Sequence, residues 1–379
     1  MLTSLTACDH NPPCRFEWQV QLIIVSTGGQ LEQTIAPDWS QRPYPPGDAR
    51  GVRLYRLSGN LIGIYERSTL SVFDPADSGR LVRTFDMDHG QSADPHGDGI
   101  IDVSNNVVSA VFGNGIPIPG VEVDPAEIRR LSLSGSSEVI YSEPMVQHDD
   151  VVAYSYFRHP VALSNGDVLA GRLHRSFKLI ADSTGTHFIT VSYQNDWDVI
   201  RIDGTTGLVA DSVAIPDEPS FLEADANGRY LLVHDSPQSF LVDTSDDRIV
   251  AFDSGHSRAI SPDGSSVVVV ISGNAKPWQL YRTSTRVWQD ISGSESAGGV
   301  SGMVFGSDGR LYVAETRQGE DGLIYRVISM PPDDHWRADV LWQAGQRDVS
   351  GIGTPLFLDS DRLAIPVTTQ VSCGELHRF

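Results

Sequence analysis

Ile260-Ser-Pro-Asp-Gly-Ser-Ser-Val-Val-Val-Val-Ile271 is the stretch on which the fold of this chain is decided. Asp263-Gly264 supplies a tight turn, because Gly reaches positive φ without a Cβ clash and Asp tolerates the same region. The run 267–271 is β-branched throughout and favours a strand. It does not alternate apolar and polar residues, so both of its faces are expected to be buried. The unit recurs. Copies stand at 163–171, 182–191, 225–233 and 306–314, with looser ones at 57–65, 103–111 and 358–367. Several are followed by a second strand pair closed by a polar turn, as at Thr206-Gly207, Asp246-Asp247 and Ser284-Thr285.

A four-strand unit recurring every roughly 30–50 residues is the signature of a β-propeller blade. One blade cannot bury both of its faces, whereas a ring of blades can. The S-P-D-G unit resembles the repeats of TolB-like and YVTN-type bacterial propellers, over about 52–367. The resemblance implies an all-β chain with a single propeller and leaves function open. An all-β sandwich with chance repeats is the competing architecture. Units at about 52–86, 100–142, 180–215, 219–253, 257–292 and 300–342, with a composite terminal unit, predict seven blades. The interval 143–180 reads either as a further blade, giving eight, or as a distorted half with a long connection. A strand within 15–27 is expected to complete the last blade beside 362–371 and 374–379, closing the ring and removing its exposed edges. Residues 15–379 then form the propeller, and 1–14 a signal remnant and tether.

The chain of 379 residues carries 49 acidic against 28 basic side chains, a formal net charge of -21. That balance argues against nucleic-acid or anionic-membrane binding through bulk charge, since both need a basic footprint. Lysine occurs only at Lys178 and Lys276. No apolar run reaches the roughly 18 residues of a spanning helix.

The three cysteines sit at the two ends of the sequence. Leu5-Thr6-Ala7-Cys8 matches a bacterial lipobox, which would make Cys8 the lipidated residue of an exported envelope lipoprotein, periplasmic or surface-exposed, held to the membrane through its lipid anchor. The segment before Cys8 is short for a signal peptide. Cys14 and Cys373 flank the expected seam of the ring. A disulfide there would tie it and would imply an oxidising compartment; two free thiols are the alternative.

The sharpest candidate for chemistry is 94–105, which resembles the calcium loop of EF-hand and dockerin modules. Asp94, Asp98 and Asp102 stand at oxygen-ligand positions, Gly99 at the turn, and the carbonyl of Ile100 at the backbone-ligand position. His96 replaces one oxygen ligand, and Asn105 replaces the bidentate Glu. An acidic surface turn between two strands is the competing reading. His148-Asp149-Asp150, His159 and His174 hold metal-binding or acid–base chemistry without a recognised zinc spacing. Ser296 lies in a near-match to an esterase elbow, but a strand follows it where a helix is required. Glu66, Asn195 and Glu315 are strand-adjacent candidates for a calcium site of the propeller-lactonase kind. Trp39, Tyr44, Trp197, Trp278 and Trp336 read either as rim anchors for a partner or as blade-stacking core. The leading expectation is a non-enzymatic binding scaffold that needs no cofactor and holds a protein or glycan partner. The alternative is a calcium-dependent hydrolase or lactonase in the channel.

Overall fold

The turn that decides the fold is built as its residues require. Gly264 has φ 69°, and its N–H donates to the Ser261 carbonyl at 2.8 Å. Asp263 Oδ1 accepts the Ser261 hydroxyl at 2.7 Å and the Ser265 N–H at 3.0 Å, so the side chain caps its own turn. A Cβ on Gly264 would lie 2.7 Å from Cδ2 of Tyr230 in the neighbouring sheet. Gly264→Ala therefore meets both a left-handed backbone and a contact too close to keep. We expect a loss of about 2 kcal/mol, read as a lower urea midpoint at unchanged slope.

The computed structural model describes residues 17–37, 39, 48–57, 60–66, 69–86, 99–101, 107–111, 125–132, 136–148, 151–181, 188–216, 219, 221–234, 238–253, 258–270, 278–291, 299–331 and 337–371. The strands are β1 (Glu17–Ser26) and β2 (Leu31–Ile35), then β3 (Arg53–Arg56), β4 (Ile62–Glu66), β5 (Thr69–Asp74) and β6 (Arg80–Asp86). Next come β7 (Gly99–Ile101), β8 (Val107–Val111), β9 (Ala126–Leu131) and β10 (Ser137–Glu143). β11 (Val146–His148), β12 (Val151–Ala162), β13 (Val168–Ala181), β14 (Phe188–Ile202) and β15 (Val209–Ile215) make one five-stranded sheet. Two four-stranded sheets follow: β16 (Phe221–Ala224), β17 (Tyr230–His234), β18 (Gln238–Asp243) and β19 (Arg248–Asp253); then β20 (Arg258–Ile260), β21 (Ser266–Val270), β22 (Trp278–Arg282) and β23 (Val287–Asp290). The last full unit is β24 (Gly299–Phe305), β25 (Leu311–Gly319), β26 (Gly322–Met330) and β27 (Asp339–Gly345). β28 (Val349–Ile352), β29 (Leu356–Phe357) and β30 (Arg362–Val371) share a sheet with β1 and β2. All pairings are antiparallel, and the result is an all-β β-propeller with about six distinct blades.

Packing explains why the strands are apolar on both faces. Val20, Leu22 and Ile24 of β1 pack with Leu54, Ile62 and Ile64, while Ile23 and Val25 pack the other way against Tyr312, Ala314 and Val327. The same two-sided burial joins Ile128 to Phe157 and Ala170, Leu173 and Val199 to Leu231 and Val242, Leu232 to Val267 and Tyr281, and Val268 to Phe305 and Val313. Each fully buried aliphatic side chain contributes about 1.5–3 kcal/mol. The tight turns of neighbouring sheets also clasp one another. Ser164 N–H donates to the Ala226 carbonyl at 3.3 Å, and Ala226 N–H to the Pro262 carbonyl at 3.0 Å. Those turns therefore share one end of the propeller.

One expectation is corrected. The unit at about 180–215 is not a sheet by itself, and 143–180 is not a separate one. β12 and β13, from the ambiguous interval, pair with β14 and β15 in a single sheet. The turn motif misleads because it occurs twice there. The copy at 163–171 makes the β12–β13 turn, whereas the copy at 182–191 spans the β13–β14 connection at the opposite end of the sheet.

Candidate functional site

In that sheet β12, β13 and β14 run 12, 14 and 15 residues, against three to six in the strands of the next two sheets. β15 pairs only with 197–202 of β14. The segments 151–155, 174–181 and 188–196 therefore continue past the blade as an arm, with β11 added along 151–153. The arm leaves the sheet at the end opposite the clasped tight turns. Val152 and Phe177 are buried within it beside Met145 and Tyr154, which gives it a small core of its own. Tyr154 and Phe177 meet edge-to-face at 6.0 Å. Arg175 donates to Asn195 Oδ1 at 2.9 Å and to the Tyr154 hydroxyl at 3.2 Å.

A polar cluster sits at the root of the arm, where β10 of the preceding sheet approaches β13. Cross-strand register sets Arg172 opposite Asp198 and His174 opposite Ser155. Arg172 binds Asp198 through both Nε and Nη2, at 3.0 and 2.6 Å, and donates from Nη1 to Glu143 at 2.6 Å. The Tyr141 hydroxyl donates to the same Glu143 oxygen at 2.5 Å. All three charged side chains are more than four-fifths buried, with 13–17% exposure. Burial raises the Glu143 pKa, but hydrogen bonds from Ser155, Tyr141 and Arg172 outweigh it, and the carboxyl is held below its ordinary range. Burial, helped by the Glu143 carboxylate, raises Tyr141 to about 12. Burial lowers the Arg172 pKa, but its hydrogen bonds to Asp198 and Glu143 outweigh that and hold it above its ordinary value. The guanidinium is committed to these partners and stitches two sheets together.

His174 is the open member of the cluster. Its Nδ1 lies 3.1 Å from the Ser155 hydroxyl, and its Nε2 lies 4.0 Å from Asp198. The side chain is 46% exposed. The root of the arm thus offers solvent an imidazole and a hydroxyl backed by fixed charges, a surface suited to polar recognition.

The structure separates the sequence candidates. Trp39, Trp197 and Trp278 are 7%, 9% and 1% exposed and are core residues, which corrects their reading as rim anchors. The Trp39 indole donates to the Val20 carbonyl at 3.2 Å and meets Phe73 edge-on; Trp197 meets Tyr156 in the same way. An indole buries more apolar area than any other side chain, so the seams between sheets draw it in. Tyr44 and Trp336 lie outside the described residues. Ile100 is in β7, paired with Val108 of β8, while Asp94, Asp98, Asp102 and Asn105 lie outside the described residues. So do Cys8, Cys14, Cys373, Asp149, Asp150 and Ser296.

His148 ends β11, and His159, with φ 50°, stands at the irregularity in β12. Glu66, Asn195 and Glu315 fall in three different sheets. Glu315 is fully buried and ion-paired with Arg326. Among the described residues no group of three or more His, Cys, Asp or Glu side chains could hold a metal. The cleft lined by Leu169, Val199, Arg201 and Asp211 has a volume of about 10 Å³, room for a water and not for a substrate. Sequence reasoning passed over Glu143, Arg172 and Asp198, because only strand register and the approach of β10 bring them together. No protein-family model matches the chain, and no curated protein matches it.

Proposed function

We propose that the protein is a non-enzymatic binding scaffold of the bacterial cell envelope that holds a protein or glycan partner at the end of the propeller bearing the arm. The observation that carries this reading is the arm itself: three strands extended past the blade, with their own buried pair and a half-exposed histidine at the root. A rigid ring lets such an extension vary without loss of the fold. The expected test replaces 176–194 by Asn-Gly, so that Arg175 and Asn195, already cross-strand partners, close a two-residue hairpin. The shortened protein should unfold at the same temperature within a few degrees. In cross-linked envelope extracts it should lose the partner that the intact protein captures. Equal capture by both would sink the proposal.

In the same reading the ring has seven blades of the TolB-like or YVTN type and is completed by the terminal strands. Support comes from the pairing of β1 with β30, from Glu17↔Val371 to Ser26↔Arg362, and from apolar clusters on both faces of that sheet. The protein is exported and lipid-anchored at Cys8, and Cys14 and Cys373 form a disulfide just beyond the paired ends of β1 and β30. Peptide mapping without reductant should recover the linked peptides, and reduction should lower stability by about 2–4 kcal/mol. Separate, alkylatable thiols in the exported protein would refute the bond.

A further inference from the structure

One hydroxyl proton fixes the state of His174. The Ser155 hydroxyl donates it to Glu143, which is held as a carboxylate and can only accept. Toward His174 the Ser155 oxygen can therefore only accept, and it lies 3.1 Å from Nδ1. Neutral His174 then carries its proton on Nδ1 and a lone pair on Nε2. Nε2 lies 4.0 Å from Asp198 Oδ1, on a half-exposed ring. Asp198 does not depend on the imidazole, because Arg172 donates to both of its oxygens at 3.0 and 2.6 Å.

Alternate residues of a strand share a face, and so do cross-strand pairs. His174 therefore shares its face with Arg172 and Lys178 of β13 and with Asp196 and Asp198 of β14. The β12 residues on that face, at 151, 153, 155 and 157, carry no charge. β10 brings Tyr141 and Glu143, and β11 reaches only 151–153, with His148 opposite Val151. The carboxylates nearest to His174 in register, Asp196 and Asp198, are acceptors, as Nε2 is. A partner group that meets this surface is matched by it when that group is a donor.

We propose that His174 is an acid-operated release point of the partner surface. Neutral, its Nε2 accepts a hydrogen bond from an O–H or N–H group of the partner. Protonated from solvent, Nε2 becomes a donor, pairs with Asp198 and closes that acceptor to the partner. The Nδ1–H bond to Ser155 is the same in both states, so one proton moves and the seam between the two sheets stays intact. Histidine is the side chain whose unperturbed charge change falls between about pH 5 and 8. This regulation rests on the partner occupying the arm end of the propeller.

Nitrogen NMR of the histidine-labelled full chain, assigned with His174→Gln, tests the switch with no partner present. At about pH 8 the His174 ring should be the Nδ1–H tautomer, and at about pH 5 both nitrogens should carry protons. Ser155→Ala removes the accepting oxygen and should abolish the tautomer preference. An Nε2–H ring in the wild type, or an Nδ1–H ring that persists in Ser155→Ala, would overturn the proposal. Partner capture by the wild type should fall about fivefold from pH 8 to pH 5, and by less in His174→Gln. Capture that falls alike in both proteins would also overturn it. Failure to capture a partner at either pH would sink the arm-end reading, whereas the spectra decide the switch by themselves.

Discussion

Arg326→Ala should destabilise the protein by about 3–5 kcal/mol, because it strands a carboxylate in the core. Glu315 on β25 has no exposed surface and stands directly opposite Arg326 on β26, whose Nε donates to its Oε1. The cost is not the attraction lost but the charge left without its main counter-ion in a medium that cannot solvate it. Two comparisons separate these. Glu315→Gln should cost less than Arg326→Ala, since an amide carries no net charge. The double variant Glu315→Gln/Arg326→Met should recover part of the loss, since a neutral pair replaces an ionic one. Urea unfolding of the four proteins measures each difference. A loss below about 1 kcal/mol for Arg326→Ala would mean that water reaches the pair.

Arg172→Ala should cost about 3 kcal/mol and should change the acid limb of the stability curve. The variant leaves Glu143 and Asp198 facing each other across the seam between two sheets with their shared cation gone. Glu143 is depressed below its ordinary 4.5 in the folded protein, so it contributes stability above pH 4.5 that is lost as pH falls through its folded value. Without Arg172 that depression shrinks, and the curve below pH 4.5 should flatten relative to wild type. At the alkaline end, Tyr141 is raised from 10.0 to about 12, so the folded state holds its proton longer. Its contribution is complete below pH 10.0 and is lost as pH rises toward about 12. Thermal unfolding of wild type and variant from pH 2.5 to 11 reads both limbs. Parallel curves would show that the cluster is not coupled to folding.

The propeller was legible because its signal is local. The Asp263-Gly264 turn and the run after it specify a hairpin in a dozen residues, and repetition carries that hairpin round the chain. The arm was not legible, because the motif at 182–191 looks like the turn at 163–171, and strand length alone tells a protruding tip from a blade turn. The tryptophans were half legible. Their bulk suits a rim and a core equally, and the seams between sheets claimed Trp39, Trp197 and Trp278. The Arg172 cluster was hidden because it is a product of register. Arg172 and Asp198 become neighbours only once β13 and β14 pair, and Glu143 joins them from another sheet.

Hydrogen exchange of the protein alone and with its captured partner tests the placement of function most directly. Slowed exchange on binding is expected over 151–155, 174–181 and 188–196, with the tight turns at 163–167, 225–229 and 261–265 unchanged. Protection confined to those turns, or to the outer strands β19 and β23, would put the partner elsewhere on the propeller and contradict the account.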